Sequence, residues 1–331
     1  MQTGAVATPA PRRLFAAGLT AAAMALLAPG PAHAWPDRPV KLIVAVAAGG
    51  PTDDLARTLA NGLGEALGGS FVVENRGGGG GRIGIGAVAR ADPDGYTLLV
   101  AASSLTISVA MSSATPYDAE KDFAPIALIA TTPTAFSVSA KLGVDSLQAL
   151  IALSQRGDAL NYATPGTGTV GHLASELLKI RSGLKMAHVA HTGAGPALQS
   201  LLSGAVQVLA TPVPAVQTQI EAGNFKALAI TSEKRWGKLP AVPTMLELGF
   251  DGFVADTFFG LLAPAATPRE IVHKLTVATL EALRKPETTA RLDKLGYDVA
   301  GKGPEDLSRR IAHELRLWRS VAQQAGLVKT P

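Results

Sequence analysis

The sequence predicts an α/β protein with two lobes that face each other across a cleft. Apolar, β-branched segments alternate with amphipathic helical segments, and the series of a strand, a glycine- and threonine-containing loop and a helix occurs twice. The length of 331 residues also exceeds one typical core. A hydrophobic share of 47% excludes a disordered chain, and the lack of cysteine excludes disulfides and cysteine-ligated metal sites. The formal charge of +4 is too small to indicate nucleic-acid binding.

Residues 1–34 have the order of a secretory signal peptide. Arg12 and Arg13 precede the apolar stretch Leu14–Ala28, and Ala32-His33-Ala34 supplies a small-x-small cleavage site. The apolar stretch is short for a hydrocarbon core of ~30 Å. We therefore expect export to the periplasm with cleavage after Ala34, by the general or the twin-arginine route. The formal charge then falls from +4 to +2, because the leader holds two arginines and no acid.

The first lobe opens with the continuous apolar run Val40–Val46, which is typical of a strand buried on both faces. After the loop 49–52, leucines repeat every four residues, which predicts an amphipathic helix. A strand at Phe71–Glu74, a helix at Ile83–Arg90 and a strand at Tyr96–Ala101 follow. Alternation of this kind predicts a parallel sheet with helical crossovers.

The second lobe repeats this order. A short strand ending at 161–163 precedes the loop Thr164-Pro165-Gly166-Thr167-Gly168-Thr169, and a helix follows from Val170. Further strands are predicted at Lys185–Val189, Val206–Leu209 and Ala227–Thr231, and closing helices near Pro268–Arg284 and Pro304–Gln324. We assign residues 35–135 and 257–331 to lobe 1 and 136–256 to lobe 2, with hinges near 130–140 and 250–260.

The glycine run from Gly77 to Gly81 matches a dinucleotide fingerprint formally, as Gly79-x-Gly81-x-x-Gly84. It follows the second strand rather than the first, and the next strand ends without the acidic residue that would hold a ribose. We therefore interpret the run as a tight connection that needs positive φ and close backbone packing.

The two glycine- and threonine-containing loops predict an anion site. Each would present unpaired backbone N–H groups at a helix N-terminus, where the dipole favours negative charge. Asp53 could cap the first helix or accept a bond from a ligand. The four threonines that add hydroxyl donors are Thr52, Thr164, Thr167 and Thr169.

Catalytic motifs are not evident in the sequence. His188 and His191 lie three apart on or after a strand and make a poor metal pair, so we expect no metal and no cofactor. His172, in the first turn of the second-lobe helix, could face the cleft or be a buried structural histidine. Near the C-terminus, Arg309, Arg310, Arg316 and Arg319 are predicted to form the solvated face of an amphipathic helix.

From Trp35 almost to the end, the chain resembles the periplasmic solute-binding proteins of tripartite tricarboxylate transporters, the Bug receptors. The segments that carry the resemblance occur in one order along the chain. They are Trp35-Pro36-x-Arg38-Pro39-Val40, Gly49-Gly50-Pro51-Thr52-Asp53 with Ala56-Arg57, Val73-Glu74-Asn75-Arg76, Pro93-Asp94-Gly95-Tyr96-Thr97-Leu98-Leu99, Lys121-Asp122-Phe123-x-Pro125-Ile126, His172-Leu173-Ala174, Pro196-Ala197-Leu198, Leu239-Pro240-x-Val242-Pro243-Thr244 and Ala263-Pro264-x-x-Thr267-Pro268.

The resemblance implies a Venus-flytrap receptor, type II-like, that captures a small organic carboxylate between its lobes and delivers it to a membrane permease. It implies no enzymatic activity, no nucleic-acid partner and a monomer. The residues expected to hold the carboxylate are Gly50, Thr52 and Asp53 on one side and Thr164, Gly166, Thr167, Gly168 and Thr169 on the other. His172 and Ser103 are expected in the walls.

Departures from the family pattern bear on the ligand. The usual proline-tyrosine-lysine-glycine is Ala190-His191-Thr192-Gly193, and a strand that often carries aspartates has Gln207 and Thr211; His191 and Thr211 complete the candidate site. The loss of an aspartate near the cleft argues against an ammonium-bearing ligand, because a buried cation would lack its partner, so we expect a monocarboxylate or an apolar or aromatic carboxylate. The alternatives are an α/β enzyme acting on a small carboxylate and an orphan receptor that signals to a partner.

Overall fold

The computed structural model describes residues 1–5, 35–112, 114–157 and 160–328. The predicted leader, residues 1–34, lies outside the described residues apart from its first five positions. Residues 1–37 form one unit and residues 38–331 another, and the second unit contains both sheets. Within the described ranges, no helix is long and apolar enough to cross a lipid bilayer.

The first sheet has six strands and collects residues from both ends of the second unit. Its strands lie in the order β11-β4-β10-β3-β1-β2. Its elements are β1 (Val40–Val44), α1 (Pro51–Leu67), β2 (Phe71–Asn75), α2 (Arg82–Ala89), β3 (Thr97–Ala102), α3 (Ser104–Ala110) and β4 (Phe123–Thr132), with the later β10 and β11 described below.

The second sheet has five strands from the middle of the chain, in the order β7-β6-β8-β5-β9. Its elements are β5 (Thr134–Ser139), α4 (Leu147–Gln155), β6 (Leu160–Thr164), α5 (Val170–Ser182), β7 (Met186–Ala190), α6 (Ala194–Leu202), β8 (Val208–Pro212), α7 (Val213–Glu221) and β9 (Phe225–Ile230). The chain then returns to the first sheet with β10 (Thr257–Pro264), α8 (Arg269–Arg284), α9 (Pro286–Lys294), β11 (Asp298–Lys302) and α10 (Pro304–Gln324).

The expectation of purely parallel sheets is wrong, because both sheets are mixed. β1 pairs in parallel with β2 and β3, but β10 runs antiparallel to β3 and β4, and β11 runs antiparallel to β4. In the second sheet β5 is antiparallel to β8 and β9. The chain crosses from the first sheet to the second between β4 and β5 and returns between β9 and β10. Only Pro133 separates β4 from β5.

Helix α1 shows how the local sequence positions a helix N-terminus. Pro51 at the first turn and left-handed Gly68 just beyond the last turn define its ends. Leu55, Leu59 and Leu63 are buried on one face, and each stabilises the packing by about 2 kcal/mol. This stripe fixes the helix on the sheet, so its first turn stays at the carboxyl end of β1.

The glycine run is a packing device, as predicted. Gly78, Gly79, Gly80 and Gly81 all have positive φ. A Cβ on Gly84 would lie 2.4 Å from the carbonyl oxygen of Arg76, a separation that no side chain tolerates. The fingerprint spacing therefore reflects a tight connection between β2 and α2.

Helix α10 contributes to two hydrophobic cores. Leu307, Ile311 and Leu315 pack with side chains of the first sheet, including Ile43 and Leu99. One turn further on, Trp318 and Val321 pack with second-sheet side chains such as Phe136, Tyr162 and Leu173. The C-terminal helix therefore joins the two sheets.

Candidate functional site

A cavity of about 820 Å³ lies between the two sheets. Its walls come from the loops that follow β1, β3, β6, β7 and β8, which is where ligands bind in open α/β sheets. The remaining wall comes from the strands that cross between the sheets and from the segment before β11. The residues of that wall are Thr132, Thr134, Thr257, Phe259, Leu295 and Tyr297.

Several helices begin at this cavity. The residues that precede α1, α5 and α6, which are Gly50, Thr169 and Gly193, all line it. The first N–H groups of a helix lack intrahelical partners, and the helix dipole adds partial positive charge there. Helix α7 also starts at the wall, but the Val213 N–H already donates to the carbonyl of Pro133, and Pro214 has no N–H. The starts of α1, α5 and α6 favour an anion in the cavity through the helix dipole and their remaining N–H groups, while at α5 the His172 N–H already donates to the Thr169 hydroxyl at 3.3 Å.

The charged side chains of the cavity are few. Among the described lining residues, Asp54 is the only one that carries a formal charge, and lysine, arginine and histidine do not occur. An anion in this cavity would therefore be held by backbone N–H groups and hydroxyls. Helix α1 places Asp54 in the wall, so an ammonium group would have a carboxylate partner in the cavity although the aspartate of the second-lobe strand is missing.

Five of the twelve predicted site residues line the cavity: Gly50, Thr52, Ser103, Gly168 and Thr169. The other seven lie behind the wall or beside it. They are Asp53, Thr164, Gly166, Thr167, His172, His191 and Thr211.

Asp53 fixes the conformation of the first loop through hydrogen bonds. Its Oδ2 atom accepts bonds from the N–H of Gly49 and from Nε of Arg57, both at 3.0 Å. Burial raises the pKa of Asp53, but the bonds from Arg57 and Gly49 outweigh burial, so the pKa lies below its ordinary value. Oδ2 therefore shapes the loop, whereas Oδ1 is buried and has no hydrogen-bond partner within the described residues.

Thr164 and His172 support the second loop in a similar way. The Thr164 hydroxyl lies 3.1 Å from the carbonyl oxygen of Gly166 and 2.7 Å from Nε2 of His188. The His172 ring stacks on His188 at 4.0 Å, and its Nδ1 accepts from the N–H of Gly168 at 3.3 Å. Of the two readings of His172, the structure favours the buried structural one. The expected contact of Thr164 with the ligand is not supported, because its hydroxyl is used within the loop.

Burial determines the protonation state of His172 and His188, the two histidines that support the second loop. It lowers the pKa of His172 to about 4, with a further contribution from His188, and it also lowers the pKa of His188. Both rings are therefore neutral near pH 7, which lets His172 Nδ1 act as an acceptor. Beyond the stack, the Tyr162 hydroxyl donates to Glu176 at 2.5 Å.

Thr211 is buried and His191 is partly buried, both near the second loop. His191 Nε2 and the Thr211 hydroxyl have no hydrogen-bond partner within the described part of the chain. Neither residue lines the cavity, so their place in the site stays a prediction.

Ser103 lines the cavity but its hydroxyl faces a buried polar network. That hydroxyl donates to Glu314 at 3.1 Å and accepts from the N–H of Phe258 at 3.1 Å. The Thr106 hydroxyl and the Trp318 indole donate to the other oxygen of Glu314, at 2.7 and 3.2 Å. The network ties the wall at Ser103 to helix α10 and to the start of β10.

Arg310 completes the network, and its predicted place on a solvated face is wrong. Its side chain is only 17% exposed, and it pairs with Asp256 at 2.6 Å and with Glu314 at 2.9 Å. By contrast Arg309, Arg316 and Arg319 are exposed, as predicted. Arg310 differs because its turn of the helix faces the crossing that leads into β10.

The wall residues that come from the crossings and from the C-terminal part of the chain were not predicted from the sequence. Thr134 and Thr257 lie at the two predicted hinges, so the hinge prediction was the signal that could have found them. Leu295 and Tyr297 follow α9, in a segment for which no element was predicted. Asp54 was seen only as a neighbour of Asp53.

The fold and the cavity define a two-sheet α/β ligand-binding protein of the periplasmic binding class. The chain belongs to the tripartite tricarboxylate transporter family receptors (TctC), whose family model matches residues 55–327. It is 36% identical over 318 residues to protein BugT of Bordetella pertussis, covering 95% of this chain and 98% of BugT.

Solved structures agree with this membership. The periplasmic binding protein BugD is 32% identical with a TM-score of 0.77, over 89% of this chain and 100% of BugD. Rpa4515 of R. palustris, solved with adipate, is 35% identical with a TM-score of 0.78, over 88% of this chain and 98% of that chain. The predicted family and fold class are confirmed, and the family is one of receptors rather than enzymes.

Proposed function

We propose that this protein is an exported periplasmic receptor that captures a small organic carboxylate in the cavity and presents it to the permease of a tripartite tricarboxylate transporter. One observation carries the proposal: the helices α1, α5 and α6 begin at one cavity whose described walls hold no basic side chain. Family membership and the adipate bound to Rpa4515 support a carboxylate as the anion.

The carboxylate would be bound mainly by the backbone N–H groups at the starts of these helices. The Thr52 hydroxyl can add a donor, since it has no partner among the described residues. The Thr169 hydroxyl cannot do so in its present rotamer, because it donates to the carbonyl of Gly166 at 2.8 Å. Residues 35–135 with 257–331, and residues 136–256, would form the two lobes that close over the ligand about the crossings at Pro133 and near residue 256.

A ligand panel tests carboxylate binding directly. The exported form would be mixed with adipate, succinate, benzoate and aspartate, and unfolding would be followed by thermal shift and calorimetry. A ligand at 100 times its dissociation constant should stabilise the fold by about 2.7 kcal/mol. If no carboxylate changes the unfolding temperature, the proposal fails.

The matched variants Thr52→Val and Thr218→Val locate the carboxylate. Thr52→Val removes a hydroxyl donor from the cavity and should weaken binding by about tenfold or more, because bonds to charged groups are worth about 1.5–3 kcal/mol. Thr218 is exposed on α7 outside the cavity, so its valine variant should bind as the unmodified protein does. Equal affinities for both variants would place the carboxylate elsewhere.

Export and partnership need separate measurements. N-terminal sequencing of the exported form should begin at Trp35, and a start at Met1 would exclude cleavage. A tagged pull-down from membranes should recover a permease, whereas recovery of a signalling protein would favour the orphan receptor. Turnover of a bound carboxylate would favour the enzyme instead.

A further inference from the structure

Asp54 is the unpaired charge of the cavity. It lies in the first turn of α1, is partly buried and lines the wall. Its side chain forms no hydrogen bond or ion pair with any described residue. The adjacent Asp53, by contrast, is bound by Gly49 and Arg57 and lies outside the cavity. A carboxylate in a cavity without a basic partner has an unused capacity to accept hydrogen bonds.

Tyr297 supplies a second, independent observation in the same cavity. Its side chain lines the cavity and is only 3% exposed, yet its hydroxyl has no hydrogen-bond partner within the described part of the chain. An unsatisfied buried hydroxyl costs about 1–3 kcal/mol, so such groups usually have a ligand or a water to bind.

The packing of α9 on α1 places the elements that carry these two residues next to each other at the cavity. Arg291 on α9 donates to the Thr58 hydroxyl at 3.0 Å, and Asp54 lies one turn before Thr58 on the same face of α1. Tyr297 follows the end of α9 by three residues, and its N–H donates to the carbonyl of Leu292 on α9. Burial raises the pKa of Tyr297, and the charge of Asp54 raises it further.

We propose that Asp54 and Tyr297 form a second recognition subsite, which binds a hydrogen-bond donor on the ligand, an alcohol hydroxyl or an ammonium group. This inference rests on the proposed function. It narrows the ligand class to carboxylates that carry a hydroxyl or amino substituent. An ionised Asp54 only accepts hydrogen bonds and would repel a second carboxylate placed beside it.

The charge pattern supports this class over the apolar carboxylates expected from the sequence. An apolar group placed against Asp54 and Tyr297 would remove both from water without a partner, which is unfavourable. A hydroxyl or ammonium group would satisfy the Asp54 carboxylate. The Tyr297 hydroxyl can then donate to Asp54 or to the ligand, so both groups gain a partner in the complex.

Matched ligands and two variants test the subsite. The ligands are propionate, lactate and alanine, then succinate, malate and aspartate, so each set shares a skeleton and differs in its donor group. The protein variants are Asp54→Asn and Tyr297→Phe, with Asp92→Asn as an exposed control that makes the same charge change. Both site variants keep the shape of the side chain, and Tyr297→Phe removes a hydroxyl that has no partner, so folding should be retained.

For the skeleton that binds, we expect the ligand with a hydroxyl or amino group to bind about tenfold or more tightly than its unsubstituted analogue. Asp54→Asn should remove most of an ammonium preference, Tyr297→Phe should reduce the preference for a donor, and Asp92→Asn should change neither. If carboxylates bind but the donor group makes no difference, or if Asp54→Asn leaves the preference unchanged, the subsite is refuted while the receptor function stands. If no carboxylate binds, the receptor function fails and the subsite with it.

Discussion

Replacing Arg310 by methionine should destabilise the protein strongly, because it leaves two buried carboxylates without their counter-ion. Arg310 donates through Nε to Glu314 at 3.0 Å, and through Nη2 to Glu314 at 2.9 Å and to the carboxylate of Asp256 at 2.6 Å. A further bond from Nη2 reaches the Asp256 carbonyl at 2.7 Å. Methionine keeps much of the volume of the arginine stem but provides no donor.

The expected cost follows from the exposure of the partners. The Glu314 and Asp256 side chains are 2% and 9% exposed, so water cannot replace the lost guanidinium. Removing one member of a buried ion pair costs about 3–5 kcal/mol. Glu314 keeps the donors Ser103, Thr106 and Trp318, which favours the lower half of that range. For a chain of this size the loss corresponds to a fall of about 5 °C in Tm.

Urea unfolding followed by circular dichroism measures this cost, and the neighbouring Arg309 provides the control. Arg309 lies on the same helix but is 67% exposed, and its ion pairs with Glu305 and Asp306 are on the surface. Arg309→Met should therefore change stability by less than about 0.5 kcal/mol. The double variant Arg310→Met with Glu314→Gln should recover part of the loss, because it removes one uncompensated charge. Equal stabilities of the two single variants would refute the reasoning.

Three further predictions concern the loops and their support. Gly84→Ala should destabilise the fold by about 1–3 kcal/mol in urea unfolding, because the new Cβ would lie 2.4 Å from the Arg76 carbonyl oxygen. The control Gly237→Ala should leave stability unchanged, because a Cβ at Gly237 would meet no atom within 4 Å. The free energy of unfolding should fall as the pH drops from about 6.5 towards 4, because the unfolded chain protonates His172 while the folded protein keeps it neutral. His172→Gln should make the free energy of unfolding, measured at pH 7, 5.5 and 4.5, depend less on pH. An equal pH dependence in the variant and the unmodified protein would contradict the lowered pKa of His172. Thr164→Val should lower stability by about 1–2 kcal/mol, since it leaves Nε2 of His188 unpaired. It should also weaken carboxylate binding, measured by calorimetry, less than Thr52→Val does. A larger loss of affinity for Thr164→Val than for Thr52→Val would indicate that Thr164 contacts the ligand.

The sequence predicted best those parts of the fold that depend on local patterns. The stripe of Leu55, Leu59 and Leu63 defines α1 by its spacing, and glycines and prolines mark the helix ends. The loops after β1 and β6 were found because glycine and threonine interrupt apolar runs. Strands β4 and β10 were not assigned, and their antiparallel pairing depends on partners more than a hundred residues apart, which no local pattern records.

The candidate site shows the same division. Gly50, Thr52, Gly168 and Thr169 could be predicted because a loop that precedes a helix presents N–H groups whatever the rest of the chain does. The roles of Asp53 and Thr164 could not, because a polar side chain near a loop can face the ligand or brace the loop from behind. Tyr297 lies in the cavity wall three residues beyond α9, and its place there depends on tertiary packing that no local pattern records.

The packing of helix α10 against both cores explains why Arg310 was wrongly predicted to be solvated and why its replacement should destabilise the protein. Its apolar residues form one continuous stripe, so the sequence does not reveal that Leu315 enters the first core while Trp318 enters the second. Glu314 lies at this change of core, and its partners come from α3, from α10 and, through Arg310, from the crossing at Asp256. A movement of one sheet relative to the other must therefore act on this network. Ser103 belongs both to this network and to the cavity wall. The stability lost in Arg310→Met therefore includes the contacts that connect the cavity wall to helix α10.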